Sequence, residues 1–156
     1  MATEIERKFL VVGNGWRDQV RSASHIRQGY LSREGRASVR VRVVDEARAC
    51  LTIKAAKSRI ARHEFEYEIP IADGLALLEF CAGHLIDKVR HRVEIGGRRW
   101  EVDVFEDENA GLIIAEIELK AESDALELPS WVGREITEEG RYYNAALARV
   151  PFSRWP

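Results

Sequence analysis

Apolar and polar side chains alternate along most of this chain with a period of two, the repeat of a strand that buries one face. Val39, Val41 and Val43 interleave with Ser38, Arg40 and Arg42, and Phe65, Tyr67 and Ile69 interleave with Glu64, Glu66 and Glu68. The pattern predicts eight strands, over residues 3–11, 25–32, 37–44, 47–55, 62–70, 85–95, 98–105 and 112–121. Turn residues fall between them: Gly13-Asn14-Gly15 and Gly35 end the first two, Asp45-Glu46 and Gly96-Gly97 join hairpins, and Pro70 stops the fifth. Helical spacing is strongest over 72–81, where Leu75, Leu77, Leu78 and Phe80 precede Gly83. Shorter helices are predicted near 16–21 and 123–128 and over 141–150, with Thr137 available as a cap. One α+β domain over residues 1–156, dominated by antiparallel sheet, follows.

A chain of 156 residues can bury a core without disulfide or metal staples. Its 24 Lys and Arg against 26 Asp and Glu leave a formal charge of −2, which excludes a generally basic nucleic-acid binder. Cys50 and Cys81 sit among apolar neighbours without CxxC spacing and are expected as free buried thiols. The N-terminus is charged, and no apolar run approaches the ~18 residues of a membrane span. A soluble, cytoplasmic protein with no membrane or nucleic-acid partner is the expectation.

The placement of the charges changes the picture. On one parity of each strand stand Glu4, Glu6 and Lys8; Ser38, Arg40 and Arg42; Thr52 and Lys54; Glu64, Glu66 and Glu68. Lys88, Arg90 and Arg92, then Glu101 and Asp103, then Glu116, Glu118 and Lys120 complete the rows. Successive side chains point to opposite faces, so each row lies on one side of its strand. A single such row reads as the solvated face of a sheet. Seven rows with like charges at i, i+2 do not, because same-face neighbours of one sign repel. A bound multivalent cation would offset the carboxylates and a bound polyanion the cations. Closing the sheet into a barrel with the charges inward gives one cavity able to hold both.

Carboxylates without His or Cys suit hard cations such as Mg²⁺ or Mn²⁺. Arg and Lys in rows suit successive phosphoryl groups, and six on the inner parity suit a chain of phosphates. Carboxylates, metal and cations together make a phosphoryl-transfer site.

Glu4-Ile5-Glu6-Arg7-Lys8 resembles the ExExK signature of the CYTH, or triphosphate tunnel metalloenzyme, superfamily. Gln28–Leu31, the VRVR of 39–42, the TIK of 52–54 and the EFEYE of 64–68 continue the resemblance in order. So do the KVR of 88–90, the EVDVF of 101–105, the EIE of 116–118 and the segment from Gly133 to Asn144, which extends it over essentially the whole chain. It implies an eight-stranded antiparallel barrel forming a tunnel with a charged interior and a few helices outside. The implied substrate is a triphosphate, and the implied reaction is metal-dependent hydrolysis, of inorganic tripolyphosphate to pyrophosphate and phosphate before any organic triphosphate.

Position by position, Glu4, Glu6 and Glu118 resemble ligands of a principal metal. Glu64, Glu66, Asp103 and Glu116 resemble further carboxylates for a second metal or for orienting water. Lys8, Arg40, Arg42, Lys54, Lys88 and Arg90 resemble the residues that hold the triphosphate. Tyr30 occupies a position tied in compact bacterial members to tripolyphosphate cleavage. Glu4 or Glu66 is the candidate base, with Lys8 or Tyr30 assisting. Glu68, Arg92, Glu101 and Lys120 read as rim or structural charges.

Within the same superfamily a class IV-type adenylate cyclase or a thiamine or nucleoside triphosphatase is the alternative, although no adenine-reading motif is present. From another class, a non-catalytic polyphosphate-binding module is disfavoured by its many carboxylates. His25, His63, His84 and His91 lack paired-ligand spacing and read as strand-surface or loop residues. Trp131 and Trp155 are placed to cover the barrel wall or a subunit contact, which leaves room for a homodimer.

Overall fold

Each period-two segment becomes a strand in the computed structural model, which describes residues 2–32 and 35–156. The expected domain span also includes Met1, Arg33 and Glu34, which lie outside the described residues. The barrel strands are β1 (Ala2–Val11), β2 (Val20–Ser32), β3 (Ala37–Val44), β4 (Arg48–Ala56), β5 (Ala61–Ile69), β6 (Ala82–Ile95), β7 (Arg98–Phe105) and β8 (Ile113–Glu118). A ninth strand, β9 (Val132–Glu135), has no counterpart in the sequence pattern. The sheet order is β5-β4-β3-β2-β6-β7-β8-β1-β9, and antiparallel pairing of β5 with β1 closes the barrel.

Stagger shapes the closure. One edge of β1 pairs with β8 from Glu6 to Leu10. The other pairs with β5 only over Ala2–Ile5 and then meets β9 at Phe9 and Val11. Beside Lys8 the C-terminal segment completes the ladder: Ile136 N–H donates to the Lys8 carbonyl (2.8 Å) and Lys8 N–H donates to Thr137 Oγ1 (3.1 Å). The β3–β4 hairpin turns through Asp45 and Glu46, both left-handed (φ 52° and 53°), which matches the twist of the flanking strands.

Outward-facing apolar positions are covered by short elements. Trp16, in a 3-10 turn over Gly15–Gln19, and Trp131 pack with Phe9, Val93, Trp100, Val102 and Ile117. Trp131 is therefore spent within this chain, in edge-to-face contact with Trp100. Helix α1 (Ile71–Leu78) sets Leu78 on Val41, Val43 and Ala49. It lies so close that a Cβ on Gly74 would meet the Ala49 Cβ at 2.3 Å, which explains a glycine inside this helix.

Two predicted helices are altered. Over 123–128 no helix forms, because the Asp124 carboxylate accepts the N–H groups of Lys120 and Ala121 and folds the chain into a turn. The predicted 141–150 helix is reduced to a 3-10 turn over Gly140–Tyr142 and the single-turn helix α2 (Asn144–Leu147), with Tyr143 extended between them.

That broken segment closes one end of the barrel. Leu10, Ile86, Phe105 and Ile114 occupy the next inward positions beyond the charged rows, and they pack against Ile136, Tyr142, Leu147 and Ala148. Among the described residues no helix is long and apolar enough to cross a membrane.

Candidate active site

The inward face of the barrel encloses a cavity of about 340 Å³, and every predicted site residue except Asp103 lines it. Register explains the convergence. Glu6 pairs with Glu118 and Lys8 with Glu116 across β1–β8, Arg40 with Thr52 across β3–β4, and Lys54 with Glu64 across β4–β5. Cross-strand partners share a face, so the rows of separate strands become one surface.

Asp103 departs from its predicted place. It is wholly buried, and both its oxygens are taken: Arg90 donates from Nε (2.8 Å) and Nη2 (2.9 Å), and Lys88 from Nζ (2.8 Å). Burial alone would raise the Asp103 carboxyl, but Arg90 and Lys88 hold it well below the usual range. The guanidinium fork claims both oxygens, leaving Lys88 the surplus cation. Burial, with Arg90 and Arg42 nearby, pulls Lys88 down to about 7 against the attraction of Asp103.

The cations around the closed half lack enough counter-charge. Burial, Arg40 and Arg90 lower Arg42 to about 10, and Arg40 Nε is a buried donor with no partner among the described residues. Lys8 behaves differently. Burial works to lower it, but Glu116 (3.6 Å), Glu6 (3.6 Å) and the Tyr30 oxygen outweigh that and raise it. Glu116 gains correspondingly: burial opposes, yet Lys8 and Arg90 bring its carboxyl down to about 2.

Toward the open end the imbalance reverses. Burial raises Glu4 above its ordinary value, Lys54 (2.8 Å) opposes this and Glu64 adds to it. Burial and Glu116 raise Glu6, while burial, Glu4, Glu6 and Glu101 raise Glu118. Glu66 and Glu118 stand apart: among the described residues neither forms an ion pair, and Glu66 accepts only a long hydrogen bond from Thr52 Oγ1 (3.4 Å).

The cavity also takes residues the pattern left out. Glu101, read as a rim charge, lines it and reaches Arg90 at 3.5 Å. Thr137, Tyr143 and Asn144 enter from the C-terminal segment. The Tyr143 ring lies beneath Lys8 Nζ (5.2 Å) and the Arg62 guanidinium (5.9 Å). Its strand parity could have revealed Glu101; the other three depend on how the segment docks.

Away from the cavity, on the outer wall, ligand atoms of His25, Asp87 and Glu106 lie within 4.8 Å of one another. There His25 Nε2 and Asp87 Oδ1 already satisfy each other at 2.6 Å. Cys50 and Cys81 are free and half-buried.

Comparison with known proteins agrees with this geometry. An inorganic triphosphatase of Acetivibrio thermocellus is 40% identical over 156 residues, covering 99% of both chains. An inorganic triphosphatase of Nitrosomonas europaea is 32% identical over 149 residues, covering 94% of this chain and 97% of its own. The crystal structure of the inorganic triphosphatase NE1496 superposes with a TM-score of 0.68 at 32% identity, over 95% of each chain. At 17% identity the PH1012 protein of Pyrococcus horikoshii shares the fold alone, with a TM-score of 0.59 over 76% of this chain and 80% of its own. The CYTH domain family matches residues 2–148, and the chain belongs to that family.

Proposed function

We propose that this protein hydrolyses inorganic tripolyphosphate to pyrophosphate and phosphate inside its barrel, with a divalent cation, and that residues 1–156 act as one such unit. One observation carries the reading: a single enclosed cavity presents Lys8, Arg40, Arg42, Lys54, Lys88 and Arg90 opposite a row of carboxylates. The relatives named as inorganic triphosphatases support it.

The residues fit a hard cation. Glu4, Glu6 and Glu118 line the cavity without enough positive charge to settle them, and among the described residues no His or Cys lines it. These three would hold Mg²⁺ or Mn²⁺, with Glu64 and Glu116 as further carboxylates. When bound, the cation neutralises charge on the phosphate chain and acts as a Lewis acid. Asp103 is left out of the set, since Arg90 and Lys88 occupy both its oxygens.

The basic rows bind and orient the phosphates, and Arg40 Nε, without a partner among the described residues, is a donor free for an oxygen. Glu66, which among the described residues has no ion pair, as Glu118 has none, and which is not one of the three that would hold the cation, takes the proton of the attacking water. Lys8 stabilises charge on the transferred group, and Tyr30 lies against the same wall. Among the described residues the cavity lining is mostly charged, and the Tyr143 ring is already covered by cations, which favours an inorganic substrate. The two free cysteines fit a reducing cytoplasm. Self-association through exposed Phe80 and Leu75 on the α1 side is the form a homodimer would take.

The test is phosphate release from tripolyphosphate beside ATP, thiamine triphosphate and pyrophosphate, with Mg²⁺, Mn²⁺ or chelator. Metal-dependent cleavage of tripolyphosphate, lost in Glu4→Gln and Lys8→Ala, is expected. Cyclic AMP formed from ATP would make the protein a cyclase; binding without turnover of any triphosphate would make it a binding module.

A further inference from the structure

Behind the cavity wall a chain of amide hydrogen bonds has only one possible direction. Gln28 is wholly buried and does not line the cavity. Arg42 Nε, which can only donate, lies 2.8 Å from one end of its amide, so that end is the oxygen. The other end is therefore the NH₂ group. It donates to Asn144 Oδ1 (3.2 Å) and to the Tyr30 hydroxyl oxygen (3.3 Å).

Lys88 Nζ, 2.9 Å from the same Asn144 atom, independently requires an oxygen there. Two separate donors thus fix the orientation of both amides. The consequence is that the NH₂ group of Asn144 and the O–H hydrogen of Tyr30 have no partner among the described residues, while both side chains line the cavity.

We propose that Gln28 is a positioning residue that aims two neutral donors, the Asn144 amide and the Tyr30 hydroxyl, at phosphoryl oxygens seated at the closed end of the cavity. This rests on the triphosphatase reading and deepens it. Lys88 attracts any phosphate oxygen brought near, and the Arg42 and Arg90 forks are already turned toward Gln28 and Asp103, whereas the outward N–H and O–H each select one direction of approach. The pair therefore sets where the end of the phosphate chain stops at the closed end of the cavity.

Three variants separate this role from a structural one. Asn144→Asp keeps the oxygen that Lys88 and Gln28 require and replaces only the outward NH₂. Asn144→Ala removes the donor without adding charge. Gln28→Glu keeps the acceptor for Arg42 but turns an oxygen toward Asn144 and Tyr30.

Each is measured for the KM and kcat of tripolyphosphate hydrolysis, for tripolyphosphate binding by calorimetry without metal, and for Tm. Expected are rises in KM and Kd of about 10-fold for Asn144→Ala and about 100-fold for Asn144→Asp, with Gln28→Glu between them. Tm of Asn144→Asp stays within a few degrees of wild type. Wild-type KM and Kd in Asn144→Ala and Asn144→Asp would overturn the inference while leaving the triphosphatase reading intact. Losses accompanied by a fall in Tm of more than about 10 °C in all three variants would also overturn it, by making the network structural. A wild-type protein that neither binds nor cleaves tripolyphosphate would remove the reading and the inference together.

Discussion

The two halves of the barrel interior handle charge in opposite ways. At the closed half Asp103 is surrounded by Arg90 and Lys88, makes bonds with both oxygens and has no access to the cavity. At the open half Glu4, Glu6 and Glu118 line the cavity with too few cations among them, and burial plus repulsion from neighbouring carboxylates raises all three. A carboxylate that is lowered and enclosed is part of the scaffold. A carboxylate that is raised and cavity-facing stores an imbalance that a ligand can relieve. The same chemical group, a carboxylate at the same parity of neighbouring strands, therefore has two different jobs.

The largest effect that would break this comparison is metal removal. Chelation should reduce tripolyphosphate hydrolysis by at least about 10⁴-fold while barely moving the unfolding curve, measured as phosphate release beside thermal unfolding. Unchanged hydrolysis in chelator would remove the open half from the chemistry.

Next comes the scaffold side. Asp103→Asn leaves Arg90 and Lys88 facing each other without a full counter-charge, and should cost about 3–5 kcal/mol in urea unfolding. A cost below about 1 kcal/mol would mean that Asp103 is not the neutralising centre described here.

A third prediction uses pH. Lys88 titrates near 7 in the free protein. A bound polyanion raises that value, so the complex takes up a proton wherever free Lys88 lacks one. Raising pH above 7 therefore opposes binding, with tripolyphosphate Kd growing by up to about tenfold per pH unit from this group. Comparison with Lys88→Arg at each pH cancels the titration of the substrate itself, and the ratio of the two affinities should flatten below pH 7. A ratio constant from pH 6 to 9 would contradict it.

The smallest effect concerns stability at the open half. Glu6→Gln removes one member of a repelling set, and should raise unfolding free energy by about 0.5–2 kcal/mol while lowering hydrolysis. Loss of both stability and activity would place Glu6 with the scaffold.

Much of this was legible beforehand, and the exceptions share a cause. Period-two alternation located the eight barrel strands because one face of each meets packed side chains and the other a charged interior. The same parity brought thirteen of the fourteen predicted site residues to one cavity. Parity gives a side chain's face but not its depth or its cross-strand neighbour, so Asp103 could not be told from Glu116. Only the register opposing Asp103 to Arg90 separates them.

The C-terminal segment was the least readable. Its residues 141–150 carry helical spacing, yet Tyr143 is extended and Asn144 turns inward to Lys88. Those choices are made by docking on β1 and on the barrel end, tertiary contacts that no local propensity encodes. Strand β9, four residues long, is held by the same docking.

That the open-half carboxylates form a cation site is tested most directly by titrating Mn²⁺ and following the signal of the free ion by electron paramagnetic resonance. Wild type and His25→Ala, which alters only the outer-wall cluster, should bind Mn²⁺ alike, and Glu6→Gln should bind at least about tenfold more weakly. Equal binding by Glu6→Gln and wild type, or loss of binding in His25→Ala, would contradict it.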